Sequence, residues 1–500
     1  MRPIKNLTIL GGGSAGWMTA SYLIAKNPDL NITVIESPNI KTIGVGEATT
    51  PYLMKFFNDI GIKDESEWMP HCDATYKNGV MYEDWDFINS RFWHSFEVDE
   101  DKYKYWNINR AKQGFDKQDY WTSTMRNGHI AMRDSGKWLA DKEGKIPDWY
   151  HSKSFNGWPQ HWAYHINADK FGTFLRDRIT GINHVQAEIK DVVLDATGNV
   201  SYLKDTDGNT YKADLFVDCT GFKRFLVDKV NDDFKSFEPY LTHNKACVIR
   251  YPYIDKENEM KPRTRSKCLS SGWFWEIPLY DRLSAGYVYT SDYLTDEEAE
   301  DELRNAIGYD RTEGCKSFTV DIKSGFYDKP WTKNVVAIGL SAGFIEPLES
   351  TLLFAIQVAG MRLFDVTTGK LNVDEYNEKA TSNIEDFKDY ISIGYRLSHR
   401  QDSKFWRDRT DSHITPRMED WLELCKEEMQ PPPKKKLFVP SSWISKAIGF
   451  GVFPKDAMFK DYSKEEHEKA NEKIAEFRET DYNNLMSQKE YLDRFVYKIK

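Results

Sequence analysis

The chain has 500 residues, 68 Lys and Arg against 78 Asp and Glu, and a net charge of −10; that is about three times the commonest domain length, which excludes a small module and leaves room for two domains. A sequence pI near 5.7 is the wrong sign for coating phosphates, so nucleic acid is not an expected partner. Sixteen Trp, 27 Tyr and 28 Phe, 14% of all residues, argue against disorder and point either to pockets lined by flat apolar faces or simply to an aromatic-rich core.

The opening segment reads as a βαβ unit. NLTIL (Asn6 to Leu10) has strand character, GGGSAGW (Gly11 to Trp17) forms a tight turn, the apolar stretch up to Asn27 and Pro28 a helix, and NITVIES (Asn31 to Ser37) a second strand. In Gly11-x-Gly13-x-x-Gly16 the first glycine permits the turn, the second lets the backbone approach a pyrophosphate, and the third lets the helix pack on the strand. The helix start then offers unpaired N–H groups to the anion. Glu36 lies 20 residues past Gly16, where a carboxylate accepts hydrogen bonds from an adenosine ribose and repels a 2′-phosphate, so NADP is disfavoured. This unit alone does not distinguish FAD from NAD.

Residues 60 to 160 carry Trp68, Trp85, Trp93, Trp106, Trp121, Trp138 and Trp149 among many polar residues, a composition unlike the opening unit, and read as an inserted substrate-side region. Two later runs, DLFVDCTGF (Asp214 to Phe222) and NVVAIGLSAGF (Asn334 to Phe344), each read as a strand ending in a glycine turn; they either return to the nucleotide or are ordinary buried strands. After Phe344 the pattern turns helical through LLFAIQVAGMRLFDV, breaks at PPPKKK (Pro431 to Lys436), and closes with a Glu- and Lys-rich stretch from Ser463 to Arg494 that predicts an exposed helix. The six cysteines (Cys72, Cys219, Cys247, Cys268, Cys315, Cys425) show no CxxC spacing, so neither a zinc site nor a disulfide framework is expected, and a reducing, cytoplasmic location fits. The apolar run before Gly11 is too short for a signal peptide, and nowhere do apolar residues run for the roughly 18 positions a membrane span needs. His161 and His165 have i,i+4 spacing if helical, but no third ligand lies nearby in sequence, so no metal is expected.

Four motifs make the chain resemble the flavin-dependent halogenases of the tryptophan-halogenase type: GGGSAGW at Gly11, GVGEATTP at Gly44 to Pro51, Trp273-Phe274-Trp275-Glu276-Ile277-Pro278, which fits that family's WxWxIP signature, and EPLEST at Glu346 to Thr351. ATYKNGV around Lys77 and AYHINAD at Ala163 to Asp169 add weaker support. The match runs to about residue 350. It implies an α/β fold: an FAD-binding, Rossmann-like domain of the GR2 flavoprotein monooxygenase type, expected at residues 1–60 and 160–360, interleaved with a mainly helical substrate region at 61–159 and 361–500. FAD contacts are then expected at Gly11, Gly13, Ser14, Ala15, Gly16, Glu36, Ala48 and Gly339.

The resemblance further implies that reduced FAD, supplied by diffusion from a separate flavin reductase, reacts with O2 and a halide ion to give hypohalous acid. Lys77 and Glu349 fit the family's catalytic positions. Lys77 either polarises hypohalous acid or carries the halogen as a haloamine, and Glu349 orients that species or takes the ring proton. Taken by itself, Lys77 would read as a solvated surface lysine. Ser350 resembles an N-cap for the helix that follows, and the N–H groups of Thr351 and Leu352 form a candidate halide site. In the family glycine follows EPLEST, whereas here Leu352 does, which favours bromide or iodide over chloride. Trp273 and Trp275, two apart on an extended segment, share a face and with Pro278 form the expected partition between flavin and substrate; a pair of core tryptophans would look the same. Glu276 is expected to be structural.

The stretch Ser441 to Pro454 lacks the Tyr-Tyr pair that fixes free tryptophan in selective members, so an electron-rich indole- or phenol-like small molecule is the expected substrate. Homo-oligomers are common among relatives. Two rivals stand beside this reading. One is an FAD-dependent monooxygenase or epoxidase, which the intact Trp273-x-Trp275 segment disfavours. The other is a non-catalytic flavin-binding protein, which the presence of both Lys77 and Glu349 disfavours.

Overall fold

A computed structural model describes residues 4–40, 46–96, 137–138, 162–427, 432, 437–438, 440–452 and 486–499. The chain divides into two compact units: residues 1–73, 166–238 and 322–385 form the first, and 74–165, 239–321 and 386–500 the second. Residues 239–321, ranged with the FAD domain in the sequence reading, fall in the second unit.

The first unit is built on a six-stranded sheet whose order is Trp331–Thr332, Val335–Ala337, Leu215–Asp218, Asn6–Leu10, Asn31–Glu36, Ile182–Gln186. Four of its five pairings are parallel, and only the Trp331–Thr332 edge strand runs antiparallel. The expected βαβ opening is present, with the helix at Ser14–Lys26. The two later glycine-turn runs supply Leu215–Asp218, beside Asn6–Leu10, and Val335–Ala337, the next strand out, so three segments distant in sequence end at one edge of the sheet. Alternation puts Leu10, Ile35, Phe216, Val335 and Ala337 into one apolar cluster. The helix Thr351–Thr367 packs on Ser14–Lys26, with Gly360 close enough that a Cβ would lie 3.8 Å from Thr19 Cα.

The second unit centres on a seven-stranded sheet, ordered Ser317–Asp321, Lys245–Tyr251, Leu283–Tyr289, Gly272–Pro278, Thr264–Leu269, Gly79–Glu83, Arg91–Ser95. Phe274 faces the cluster that includes Tyr287 and the apolar side of the helix Asp296–Ile307 (Ala299, Leu303, Ile307). Trp273 and Trp275 therefore face the other way. Helical segments of the C-terminal third contribute Tyr390, Ile393, Met418, Trp421 and Trp443 to a further core with Met81 and Trp93.

Trp106, Trp121, Trp149, His161 and most of Pro431 to Lys436 lie outside the described residues, as does the Ser463 to Arg494 stretch up to residue 485. Its described end follows the short strand Met486–Ser487 and is helical, Gln488–Tyr491 as an α-helix and Leu492–Val496 as a π-helix, but it is not exposed throughout: Met486, Gln488 and Leu492 are buried. Among the described residues, no helix is long and apolar enough to cross a membrane.

Candidate active site

In the first unit the glycine turn is shaped by close approach. Gly11 has φ 116°, and a Cβ there would sit 2.2 Å from the Cys219 carbonyl oxygen of the neighbouring strand end; a Cβ on Gly16 would lie 1.9 Å from Gly11 O. Gly13 stands at the N-cap of the Ser14–Lys26 helix with no side chain closing that end, so the first-turn N–H groups are presented as a phosphate requires. Ser14 Oγ donates to the Ala168 carbonyl at 3.4 Å. Gly339 (φ 73°) abuts the same helix start, because a Cβ there would be 3.0 Å from Ala15 Cβ. The Glu36 carboxylate lies over Gly12, where a Cβ would be 1.8 Å from Oε2. It accepts from Trp17 Nε1 at 3.3 Å and lies 3.1 Å from His184 Nε2 and 3.8 Å from Arg176 Nη1. Ala48 is buried in the short strand Gly46–Ala48. The uncapped helix start, the cradle without side chains and the carboxylate beside it fit the phosphate and ribose of a dinucleotide. Replacing Gly11 with Ala forces a strained backbone against Cys219, at about 1–3 kcal/mol. FAD binding, titrated by flavin fluorescence, should weaken about tenfold or more.

Sequence reasoning missed the group that ties these turns together. Asp218, fully buried, accepts from Thr220 N and Oγ1 (3.0 and 2.7 Å), from Leu226 N and Val227 N (2.7 and 2.9 Å) and from Ser341 Oγ (3.0 Å). One carboxylate thus locks the turn after Leu215–Asp218 to the turn after Val335–Ala337. The available signal was an acid at the last strand position of DLFVDCTGF.

Glu349 closes the turn Pro347–Glu349 and is 4% exposed. Ser350 follows with φ 60°, and its N–H donates to the Pro347 carbonyl at 3.1 Å. It occupies the N-cap position of Thr351–Thr367, but its side chain makes no capping bond. This corrects the expected serine cap: a left-handed residue does not aim its hydroxyl at the N2 and N3 amides as an extended one does. The Ser350 hydroxyl therefore does not take the amides at that helix start, which include those of Thr351 and Leu352. Thr351 is buried and Leu352 half-buried.

In the second unit Lys77 is not a surface lysine. It is fully buried on the strand Thr75–Lys77, with Nζ 5.0 Å from the centre of the Phe96 ring, a cation–π contact in a desolvated setting. The strand is held from the C-terminal end of the chain, where Gln488 Oε1 accepts from Tyr76 N at 2.7 Å and Tyr497 Oη donates to the Ala74 carbonyl at 3.0 Å. Nothing in the sequence linked these distant segments. His165 lies in a strand, Ala163–Asn167, so the helical spacing considered for His161 and His165 does not apply.

Trp273 and Trp275 are both buried on Gly272–Pro278. Trp273 packs 6.1 Å from Trp85. The Trp275 indole lies on Gly286, where a Cβ would meet it at 2.4 Å. Glu276 accepts from Tyr251 Oη at 2.5 Å and lies 3.9 Å from Arg265, a structural tie.

The tryptophan halogenase family model matches residues 6–463, well past the point near residue 350 where the motifs end. A 7-chloro-L-tryptophan 6-halogenase from Kutzneria sp. is 34% identical over 422 residues, 80% of this chain and 81% of that protein. The crystal structure of a tryptophan 6-halogenase from Streptomyces toxytricini superposes with TM-score 0.85 at 30% identity, covering 98% of this chain and 99% of the other. A flavin-dependent halogenase from Xanthomonas campestris gives TM-score 0.84 at 27% identity over 99% of both chains. The chain belongs to the tryptophan halogenase family and is an FAD-dependent, halogenating oxidoreductase.

Proposed function

We propose that the enzyme halogenates an electron-rich indole- or phenol-like molecule rather than free tryptophan, with bromide or iodide preferred over chloride. Its reduced FAD comes by diffusion from a separate reductase in the cytoplasm. Bound reduced FAD supplies, with O2, the two-electron oxidation that turns halide into hypohalous acid. Gly11, Gly13, Ser14, Ala15, Gly16, Glu36, Ala48 and Gly339 hold that cofactor, and the amides of Thr351 and Leu352 hold the halide. Trp273, Trp275 and Pro278 keep the organic substrate apart from the flavin.

Lys77 handles the oxidant. As an ammonium it donates a hydrogen bond to the oxygen of hypohalous acid and polarises the oxygen–halogen bond. As an amine it exchanges a proton for halogen, giving a haloamine and water. Either way the electrophile is presented at a fixed point instead of diffusing away. Glu349 stabilises the ring cation and accepts its proton. The observation that carries this reading is the complete burial of Lys77 beside an aromatic ring. A solvated lysine would have no reason to accept that desolvation.

The preference against free tryptophan is supported by the C-terminal helix Pro440–Gly449. It buries Trp443 and Ala447 and uses Lys446 Nζ to donate to the Tyr390 carbonyl, and Ser441 to Pro454 contains no tyrosine. Incubation with FAD, a flavin reductase, indole and equal chloride, bromide and iodide, read by mass spectrometry, tests the whole reading. Brominated and iodinated indole should exceed the chlorinated product, and indole should outpace tryptophan. Oxygenated product without halide would indicate a monooxygenase, and absence of turnover a non-catalytic flavoprotein.

Leu352→Gly should raise the chloride-to-bromide product ratio about tenfold, as removal of a side chain from a binding pocket does. Because both products come from one vessel, the ratio is unaffected by helix destabilisation.

A further inference from the structure

The strands Thr75–Lys77 and Ala163–Asn167 pair antiparallel, with Thr75 opposite His165, Tyr76 opposite Tyr164 and Lys77 opposite Ala163. Side chains alternate, so Thr75, Lys77, Ala163 and His165 share one face. Lys77 thus sits diagonal to His165, with only a methyl group directly across from it.

His165 is fully buried and bonded through both ring nitrogens: Nδ1 lies 3.3 Å from Thr75 Oγ1 and Nε2 lies 2.9 Å from Thr264 Oγ1. Thr75 Oγ1 also donates to the Pro278 carbonyl at 2.5 Å. That carbonyl only accepts, so it takes the single Thr75 hydroxyl proton, and toward His165 the hydroxyl must accept. Nδ1 therefore carries a proton. Burial first, and the charge of Lys77 second, push the His165 pKa well below the usual imidazole range, so the ring is neutral and Nε2 accepts from the Thr264 hydroxyl. The bonds run one way, from Thr264 through the imidazole and Thr75 to Pro278.

We infer that His165 is a positioning residue for Lys77: it donates to the Thr75 hydroxyl that bonds the lysine strand to Pro278, the last residue of the Trp273–Pro278 segment, and it links that strand through Thr264 to the strand paired with the segment. This inference rests on the proposed role of Lys77. A protonated imidazole would place a second cation beside the lysine and would reverse the first bond of the chain, the one from Thr264. The neutral ring gives rigidity without that repulsion. Ala163 keeps the space opposite the lysine open, and the threonine hydroxyls fix the imidazole plane.

The test uses the full-length enzyme with FAD, reductase, bromide and indole, and compares brominated indole with hypobromous acid captured by a soluble trap. His165→Leu removes both bonds. It should lower kcat about tenfold, as a misplaced reacting group does, with KM for indole changed less than about twofold, and it should raise the trapped share of oxidant about threefold or more. His165→Asn, whose amide can donate from near the Nδ1 position, should recover most of the coupling. A merely structural role would lower stability without redirecting oxidant to the trap.

An unchanged trapped share in a His165→Leu protein that still binds FAD, or an Asn variant no better than Leu, would overturn the inference. If His165→Leu does not fold, Thr75→Val breaks the link at constant shape and is read by the same ratio. Failure of the unaltered enzyme to brominate indole would instead defeat the proposed function.

Discussion

Lys77→Ala is expected to abolish indole halogenation, with a loss on the order of 10³-fold in kcat, the scale seen when a proton-donating or covalent catalytic group is removed. Halide-dependent consumption of reduced FAD and O2 should continue, and hypohalous acid should appear in solution. The split between these readouts is the informative part, because the lysine is proposed to act on the oxidant after it has formed. Alanine also leaves a cavity at a fully buried position, so a loss of stability would confuse the result. Lys77→Met, close in length and apolar, fills the same space beside Phe96 and removes only the charge and the nitrogen. Both variants should bind FAD like the parent. Halogenation retained within about threefold in Lys77→Met would remove the amine from the mechanism, since no thioether substitutes for either proposed role.

The nucleotide half of the molecule was readable because its chemistry is local. Gly11, Gly16 and Glu36 lie within 26 positions of each other, and each answers to a steric or hydrogen-bonding demand of the turn between Asn6–Leu10 and Ser14–Lys26. The parallel strands Leu215–Asp218 and Val335–Ala337 were legible as apolar runs ending in glycine, and the sheet order places them in succession on one side of the first strand. The support of Lys77 was not legible. Its strand is fastened by Gln488 and Tyr497, more than 400 residues away, and by His165, whose pairing with Thr75 spans 90 positions. Such contacts arise from tertiary packing and leave no periodicity to detect. The serine before Thr351 misled for a related reason. Ser350 is a favoured capping residue, but the turn Pro347–Glu349 delivers it in a left-handed conformation that propensity does not reveal.

That turn also bears on the second large effect, expected for Glu349→Gln. Pro347 fixes the entry, Ser350 N–H closes back on the Pro347 carbonyl at 3.1 Å, and the left-handed Ser350 redirects the chain into the helix Thr351–Thr367. A non-glycine residue held at φ 60° costs about 1–2 kcal/mol, a cost the turn sustains while holding Glu349 at one place. Glutamine keeps the size and a hydrogen-bonding oxygen but loses the charge and the basicity. The kcat for halogenation should fall on the order of 10²-fold, while FAD affinity and the amount of hypohalous acid formed stay within about threefold. If the carboxylate removes the ring proton, deuterium at the attacked carbon should slow Glu349→Gln more than the parent, because proton loss has become limiting. If it serves only to steady the ring cation, both proteins should show the same small isotope effect. Glu349→Asp, shorter by one methylene, should fall between the parent and Gln because the charge persists at the wrong distance. An unaltered kcat in Glu349→Gln would leave the buried acid as part of the turn and nothing more.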